Sequence, residues 1–258
     1  MKLYFKFFAM HLRSAMQYKT SFFLLTLGQF LTSFGTFLSV YFLFARFQNV
    51  DGYTFNEVLI CYSAILLSYT TAECFFRGFD TFPSIISNGE FDRIMVRPRN
   101  EIYQIVCSRI EFARIGRMVM AIVIMFYAIP TSGIHWTPAN VGVYVMMWAG
   151  GSGIFCGLFI VYAAVCFFTI EGLEFMNIFT DGGRTLSTYP INIYGRGVLI
   201  FFTFVIPLAC VQYYPFTFIT GRSDALLNAF LPLCGFLFLI PCYLFWKFGV
   251  GRYKSVGS

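Results

Sequence analysis

Six long stretches nearly free of charge divide this chain, and the basic residues between them alternate from one connection to the next. Ser21–Ala45, Met118–Ile134, Val141–Phe168, Val198–Pro215 and Ala225–Trp246 carry no charged side chain, and Val58–Phe76 carries only Glu73. A bilayer core takes roughly 20 apolar residues as helix, so each stretch reads as a membrane crossing. Of the 18 Lys and Arg residues, Lys2, Lys6, Arg13 and Lys19 precede the first stretch, and Lys247, Arg252 and Lys254 follow the last. Arg77, Arg93, Arg97, Arg99, Arg109, Arg114 and Arg117 fall in the second connection and Arg184 and Arg196 in the fourth, leaving only Arg46 and Arg222 for the other loops. The positive-inside rule puts both termini and the second and fourth loops in the cytoplasm. The predicted fold is all-α and integral to the membrane, one domain over residues 1–258 with six transmembrane helices.

The polar segments refine this picture. Residues 2–19 read as an interfacial helix. Lys2, Lys6, Arg13 and Gln17 share one narrow face, and Leu3, Tyr4, Phe5, Phe7, Phe8, Met10 and Leu12 cover much of the rest. Such a helix lies in the membrane plane; a cytoplasmic extension of the first span is the alternative. In the second loop, residues 77–117, Pro83 and Pro98 bracket Ser84–Arg97, where Ile85, Ile86, Phe91, Ile94, Met95 and Val96 mix with Glu90, Asp92 and Arg93. That pattern predicts a short amphipathic helix across the membrane face with a bend at Gly89. The fourth loop, Thr169–Gly197, reads as a helix extension bearing Glu171 and Glu174, a glycine turn at Asp181–Arg184, and a short helix started by Pro190.

Pro207 is expected to kink the fifth span. Tyr213–Arg222 is expected to be an aromatic outer segment, partly re-entrant. Ala149, Gly153 and Gly157, with Gly150 and Gly151, form a small-residue face that lets helix backbones approach closely, in packing within the chain rather than between subunits. Trp246 and Tyr253 are expected to anchor the inner interface.

Eight scattered cysteines without a CxxC pattern read as packing residues. The chain has no Walker A, HExxH or GxSxG motif, and His11 and His135 fall near opposite interfaces. The prediction is no catalytic residue, no metal site and no cofactor bound by this chain, which is therefore not an enzyme by itself. The net charge of +6 sits beside span ends, where anionic lipid rather than nucleic acid accounts for it. Glu73 is the one ionisable residue within a stretch, with Arg77 at i+4. It reads either as a snorkelling pair or as a carboxylate lining a translocation path for a cationic substrate. Ion-driven pumps need several such charges, so uphill transport here would draw its energy from another subunit.

Three segments carry a resemblance. They are Gly89–Pro98 (GEFDRIMVRP), Pro207–Arg222 (PLACVQYYPFTFITGR) and Trp246–Ser258 (WKFGVGRYKSVGS). In order and spacing they resemble the six-span permease subunit of ABC-2 type transporters, in the branch long labelled an uncharacterised ABC permease component. The resemblance implies an ABC-2 (type V exporter-like) transmembrane domain in a bacterial inner membrane. It implies a second permease, identical or homologous, and separate ABC ATPase subunits that hold ATP and Mg. Residues 1–20 then correspond to an elbow helix and Ser84–Arg97 to a coupling helix docked on the ATPase. The implied coupling residues are Pro83, Gly89, Glu90, Phe91, Asp92, Arg93, Arg97 and Pro98. Glu90, Asp92 and Arg93 would make polar contacts, Phe91 would serve as an apolar anchor, and Thr169–Gly197 would be a lesser contact.

Alternating-access export of a small amphipathic or cationic compound is the expected function. Export of lipid or polysaccharide is a variant of it. A secondary transporter or channel without an ATPase is a separate class, for which Glu73 is the only candidate charge, and an intramembrane enzyme has no catalytic pair to support it.

Overall fold

Backbone amides have no partner in lipid, so apolar runs of this length close their hydrogen bonds internally as helix. The computed structural model describes residues 2–47, 49–169 and 175–254. Helix α1 (Lys2–Ala15) passes through one 3₁₀ turn, Met16–Tyr18, into α2 (Lys19–Arg46). Helix α3 (Phe55–Phe76) starts at a capping box: the Thr54 hydroxyl accepts from the Glu57 N–H, and the Glu57 carboxylate accepts from the Thr54 N–H at 2.8 Å. Three short helices follow, α4 (Phe82–Ser87), α5 (Glu90–Met95) and α6 (Glu101–Ser108). Next come α7 (Ile115–Thr131), α8 (Pro138–Thr169), the single turn α9 (Gly183–Leu186), α10 (Arg196–Phe204), α11 (Leu208–Val211) and α12 (Tyr213–Ile219). Helices α13 (Leu226–Phe230) and α14 (Cys234–Arg252) close the chain.

Among the described residues, five helical stretches are long and apolar enough to cross a membrane: Tyr4–Arg46, Phe55–Ser87, Phe112–Thr131, Pro138–Thr169 and Leu226–Arg252. The α8 and α14 backbones touch because both carry glycine. A Cβ at Gly235 would overlap the Gly150 carbonyl, and Gly153 and Gly157 face Gly235 and Phe238. The small-residue face of α8 is thus used within the chain, as expected.

Two ends of the bundle are distinct. At the basic end, Trp246 lies 5.0 Å from Phe82 and 5.1 Å from Phe167, ring to ring, and Phe91 lies 5.0 Å from Tyr253. Trp246 is therefore buried in the chain's own aromatic cluster, not set at the lipid interface as the sequence suggested. Helix α1 packs on α6 at this end. Its His11 Nε2 donates to the Cys107 carbonyl at 3.1 Å, and its Phe8 meets Phe112 at 4.9 Å. At the far end, Arg222 donates to the Gly52 carbonyl at 2.8 Å and pairs with Glu57 at 3.0 Å, its guanidinium over the Tyr53 ring.

The fifth crossing needs correction. Helix α10 and the α11–α12 pair bend by 86° at their junction, where Pro207 interrupts the helix. Both outer ends of this pair lie at the same end of the bundle. Asn192, four residues before α10, donates to Asp51 at 3.2 Å, and Arg222, three residues after α12, binds Gly52. Nine residues of α10 reach only about 14 Å, less than half of a core about 30 Å thick. Residues Val198–Pro215 therefore belong to a re-entrant hairpin that packs at its tip on Gly150, Gly151 and Gly183. The chain instead returns from the basic to the far end between Phe175 and Asn192, through a wide π turn at Ile178–Gly182, helix α9 and a 3₁₀ turn at Ile191–Tyr194. Arg184 lies inside the bundle and Arg196 near its far end, so neither is a basic-end loop residue. Glu171 and Glu174 fall outside the described residues.

Candidate functional site

At the basic end, the segment expected to be one amphipathic helix is two, α4 and α5, hinged at Gly89 with φ of 67°. Only glycine takes that conformation without penalty. Phe82 and Ile86 of α4 are buried, and Pro83 occupies its first turn, where a missing N–H costs nothing. The structure turns Phe91 inward: it is fully buried against Phe82, Phe167 and Trp246. The expectation of Phe91 as an outward anchor fails, because the same helical spacing serves the chain's own core. The apolar side chains that the segment does present are Val96, 86% exposed, and Met95 beside it. Glu90, Arg93, Arg97 and Pro98 are exposed around it, and Asp92 is half-buried. Glu90, Arg93, Arg97 and Gln104 line a groove of about 260 Å³ between α5 and α6.

Glu73 sits near the end of α3, one turn before the 3₁₀ turn Arg77–Thr81 that leads into α4. Its side chain is 1% exposed. Arg77 donates to Oε1, Arg117 donates to Oε2 at 2.9 Å, and Arg114 lies 3.5 Å from Oε1. Arg77 also binds Asp80. Glu111 pairs with Arg109 at 2.8 Å and with Arg114 at 3.0 Å. A carboxylate buried this deeply is sustained only by charge-assisted bonds of this kind. Burial alone would raise the Glu111 carboxyl, but Arg77, Arg114 and Arg109 outweigh it and hold it below its ordinary value. The pairing of Glu73 with Arg77 was legible at i+4. Arg114 and Arg117 were not, because they come from the 3₁₀ turn before α7 and from its first turn.

A second site was missed by sequence reasoning because its residues looked like a cytoplasmic loop. Tyr69 donates its hydroxyl to Asp181 at 2.9 Å. Tyr69 stands seven residues before the basic end of α3 at Phe76, about 10 Å along the axis, and Arg77 and Asp80 of that end line the same cleft as Asp181. Arg184 Nε lies 3.7 Å from Asp181, and its guanidinium rests 5.2 Å from the centre of the Tyr69 ring. Nearby, Gln212 donates to the Tyr189 carbonyl at 3.2 Å. Among the described residues, Arg184 Nε, Ser187 Oγ and Gln212 Oε1 are buried without a hydrogen-bond partner. The two opposite charges offset each other's cost of burial. Asp181 itself sits in the π turn Ile178–Gly182.

An all-helical bundle with a basic end, glycine-packed long helices and a re-entrant hairpin defines a polytopic membrane protein. Comparison then narrows the class: residues 30–257 match the ABC-2 family transporter protein model, and the chain belongs to that family. It is an ABC-type permease, a membrane transport component that is not itself catalytic, and membership implies association with an ABC ATPase. No curated protein and no solved structure matches the chain.

Proposed function

We propose that this chain is the membrane subunit of an ATP-driven exporter, with its basic end in the cytoplasm, paired with a second permease in the lipid bilayer. Its solute is a small amphipathic or cationic compound. The observation that carries the reading is the mounting of α4 and α5. The segment 82–98 exposes Glu90, Arg93, Val96 and Arg97, while Phe82 and Phe91 clamp it to α8 and α14 and the Glu73 cluster holds the Arg77–Thr81 turn that leads into it. A segment so fixed transmits an ATPase movement to the spans as a rigid body. ATP acts only through differential contact with the inward- and outward-open states. Shifting such an equilibrium from 1:99 to 99:1 takes about 5.5 kcal/mol. The ATPase, on a separate chain, holds the ATP and Mg.

The test is charge reversal at Arg93 and Arg97 in the assembled complex. The reading expects weaker association with the ATPase and loss of solute-stimulated hydrolysis, with the permease still folded. Normal assembly and normal transport in both variants would remove the coupling assignment.

A further inference from the structure

We infer that the groove between α1 and α6 binds the headgroup phosphate of an anionic phospholipid from the cytoplasmic leaflet, held by Arg97 and Arg99. The inference rests on the cytoplasmic placement of the basic end above and adds to it a lipid that reaches the coupling segment.

Three observations converge. First, α1 lies across the basic end. On α2, Gln29 Oε1 accepts from Arg114 at 3.0 Å, and on α1, Phe8 meets Phe112 at 4.9 Å. A straight helix from Phe8 to Gln29 would span about 31 Å, yet their partners Phe112 and Arg114 are two positions apart. The chain therefore turns between them, at Tyr18, with φ of −112° and ψ of 72°. Away from the bundle α1 exposes Phe5, Met10 and Met16, the face that an interfacial helix sets in the acyl boundary at headgroup depth. Second, the groove carries uncompensated positive charge. It measures about 220 Å³ and is lined by Phe7 of α1, by Arg97 and Arg99, and by Tyr103 of α6, with no carboxylate among the described residues that line it. It meets the groove between α5 and α6 at Arg97, and the two together carry Arg93, Arg97 and Arg99 against Glu90 alone. Third, the guanidiniums project from a braced turn. Pro98 stands between them, the Arg99 N–H donates to the Arg97 carbonyl at 2.7 Å, and Gln104 Nε2 donates to the Ile94 and Arg99 carbonyls at 3.0 Å each. A turn held in this way has little freedom left to lose on binding, and guanidinium forks match phosphate oxygens. A basic pocket between helices on the cytoplasmic side is a setting that holds anionic headgroups. The Phe7 wall favours lipid over an acidic segment of the ATPase, because α1 is the element that faces the bilayer.

The experiment uses the full chain, delipidated in mild detergent with whatever ATPase co-purifies. The thermal unfolding midpoint is followed during titration with dioctanoyl phosphatidylglycerol, dioctanoyl phosphatidylcholine or inorganic phosphate. The expected result is a saturable rise with phosphatidylglycerol and none with the other two. Arg99→Ala should weaken the apparent affinity about fivefold, and Arg99→Lys should keep most of it. Arg252→Ala removes an exposed charge from the same end and should leave the affinity unchanged. A lipid-free midpoint close to that of the unsubstituted chain shows that each variant is folded. No response to phosphatidylglycerol, an equal response to phosphate, or equal losses in Arg99→Ala and Arg252→Ala overturns the inference. So does a response that vanishes when the ATPase is bound, which would assign the groove to the ATPase. If an ATPase co-purifies in any of these cases, the permease reading still stands. If none co-purifies while the lipid response follows Arg99, the permease reading falls and the lipid site stays.

Discussion

The Asn192 side-chain amide donates to the Asp51 carboxylate across 3.2 Å, although 141 positions separate them. The Tyr53 hydroxyl reaches Asn192 Oδ1 at 3.3 Å from the same loop. These bonds tie the end of the fifth crossing to the turn between α2 and α3, and so make α10 to α12 a hairpin dipping in from the far end.

This placement predicts where Arg196 is reached. In Arg196→Cys, a membrane-impermeant maleimide should label intact cells from the side opposite the N-terminus. Labelling only after the membrane is broken would return Arg196 to a cytoplasmic loop.

Glu73 holds three guanidiniums at the root of the coupling segment. Glu73→Gln leaves them without their buried counter-charge, and breaking such a pair costs about 3–5 kcal/mol. Thermal unfolding in detergent should show a large loss of stability. A midpoint within a degree or so of the unsubstituted chain would mean that the network contributes little.

Two glycines should respond differently to alanine. Gly89 has open space around a missing Cβ, so Gly89→Ala carries only the left-handed backbone penalty of roughly 1–2 kcal/mol. Gly89→Asn should recover part of it. At Gly235 a Cβ would strike the Gly150 backbone, so Gly235→Ala must push α8 and α14 apart. Its loss should exceed that of Gly89→Ala in the same unfolding assay.

Glu111 gives the basic end a pH dependence of known sign. Its folded pKa lies below the ordinary 4.5. Its pairing therefore contributes stability above about 4.5, and that contribution is lost as pH falls through the folded value. The unfolding midpoint of the unsubstituted chain should drop more steeply on acidification than that of Glu111→Gln.

Charge alternation made most of the architecture legible. The first four spans, the last span, the glycine face of α8 and the bend at Gly89 all stand close to where local pattern puts them. The fifth crossing was illegible for a physical reason. Asn177, Thr180, Asp181, Arg184 and Ser187 give it the polarity of a loop, although it runs between the two ends of the bundle. Val198–Pro215 has the hydropathy of a span because it dips to membrane depth, its α10 half exposing Ile200, Phe204 and Val205, and hydropathy reports depth rather than passage. Phe91 shows a similar limit: amphipathic spacing says that a ring is covered, but not whether its own chain or a partner covers it. The partners of Glu73 were hidden by distance, since Arg117 lies 44 positions away.

The most direct measurement is affinity purification of the tagged chain in mild detergent, with identification of the co-purifying subunits and an ATPase assay on the eluate. The account predicts a Walker-bearing ATPase and a permease pair, with hydrolysis lost when Arg93 and Arg97 are reversed in charge. An intact, folded chain that elutes without an ATPase, and that moves solute in vesicles by itself, would contradict it.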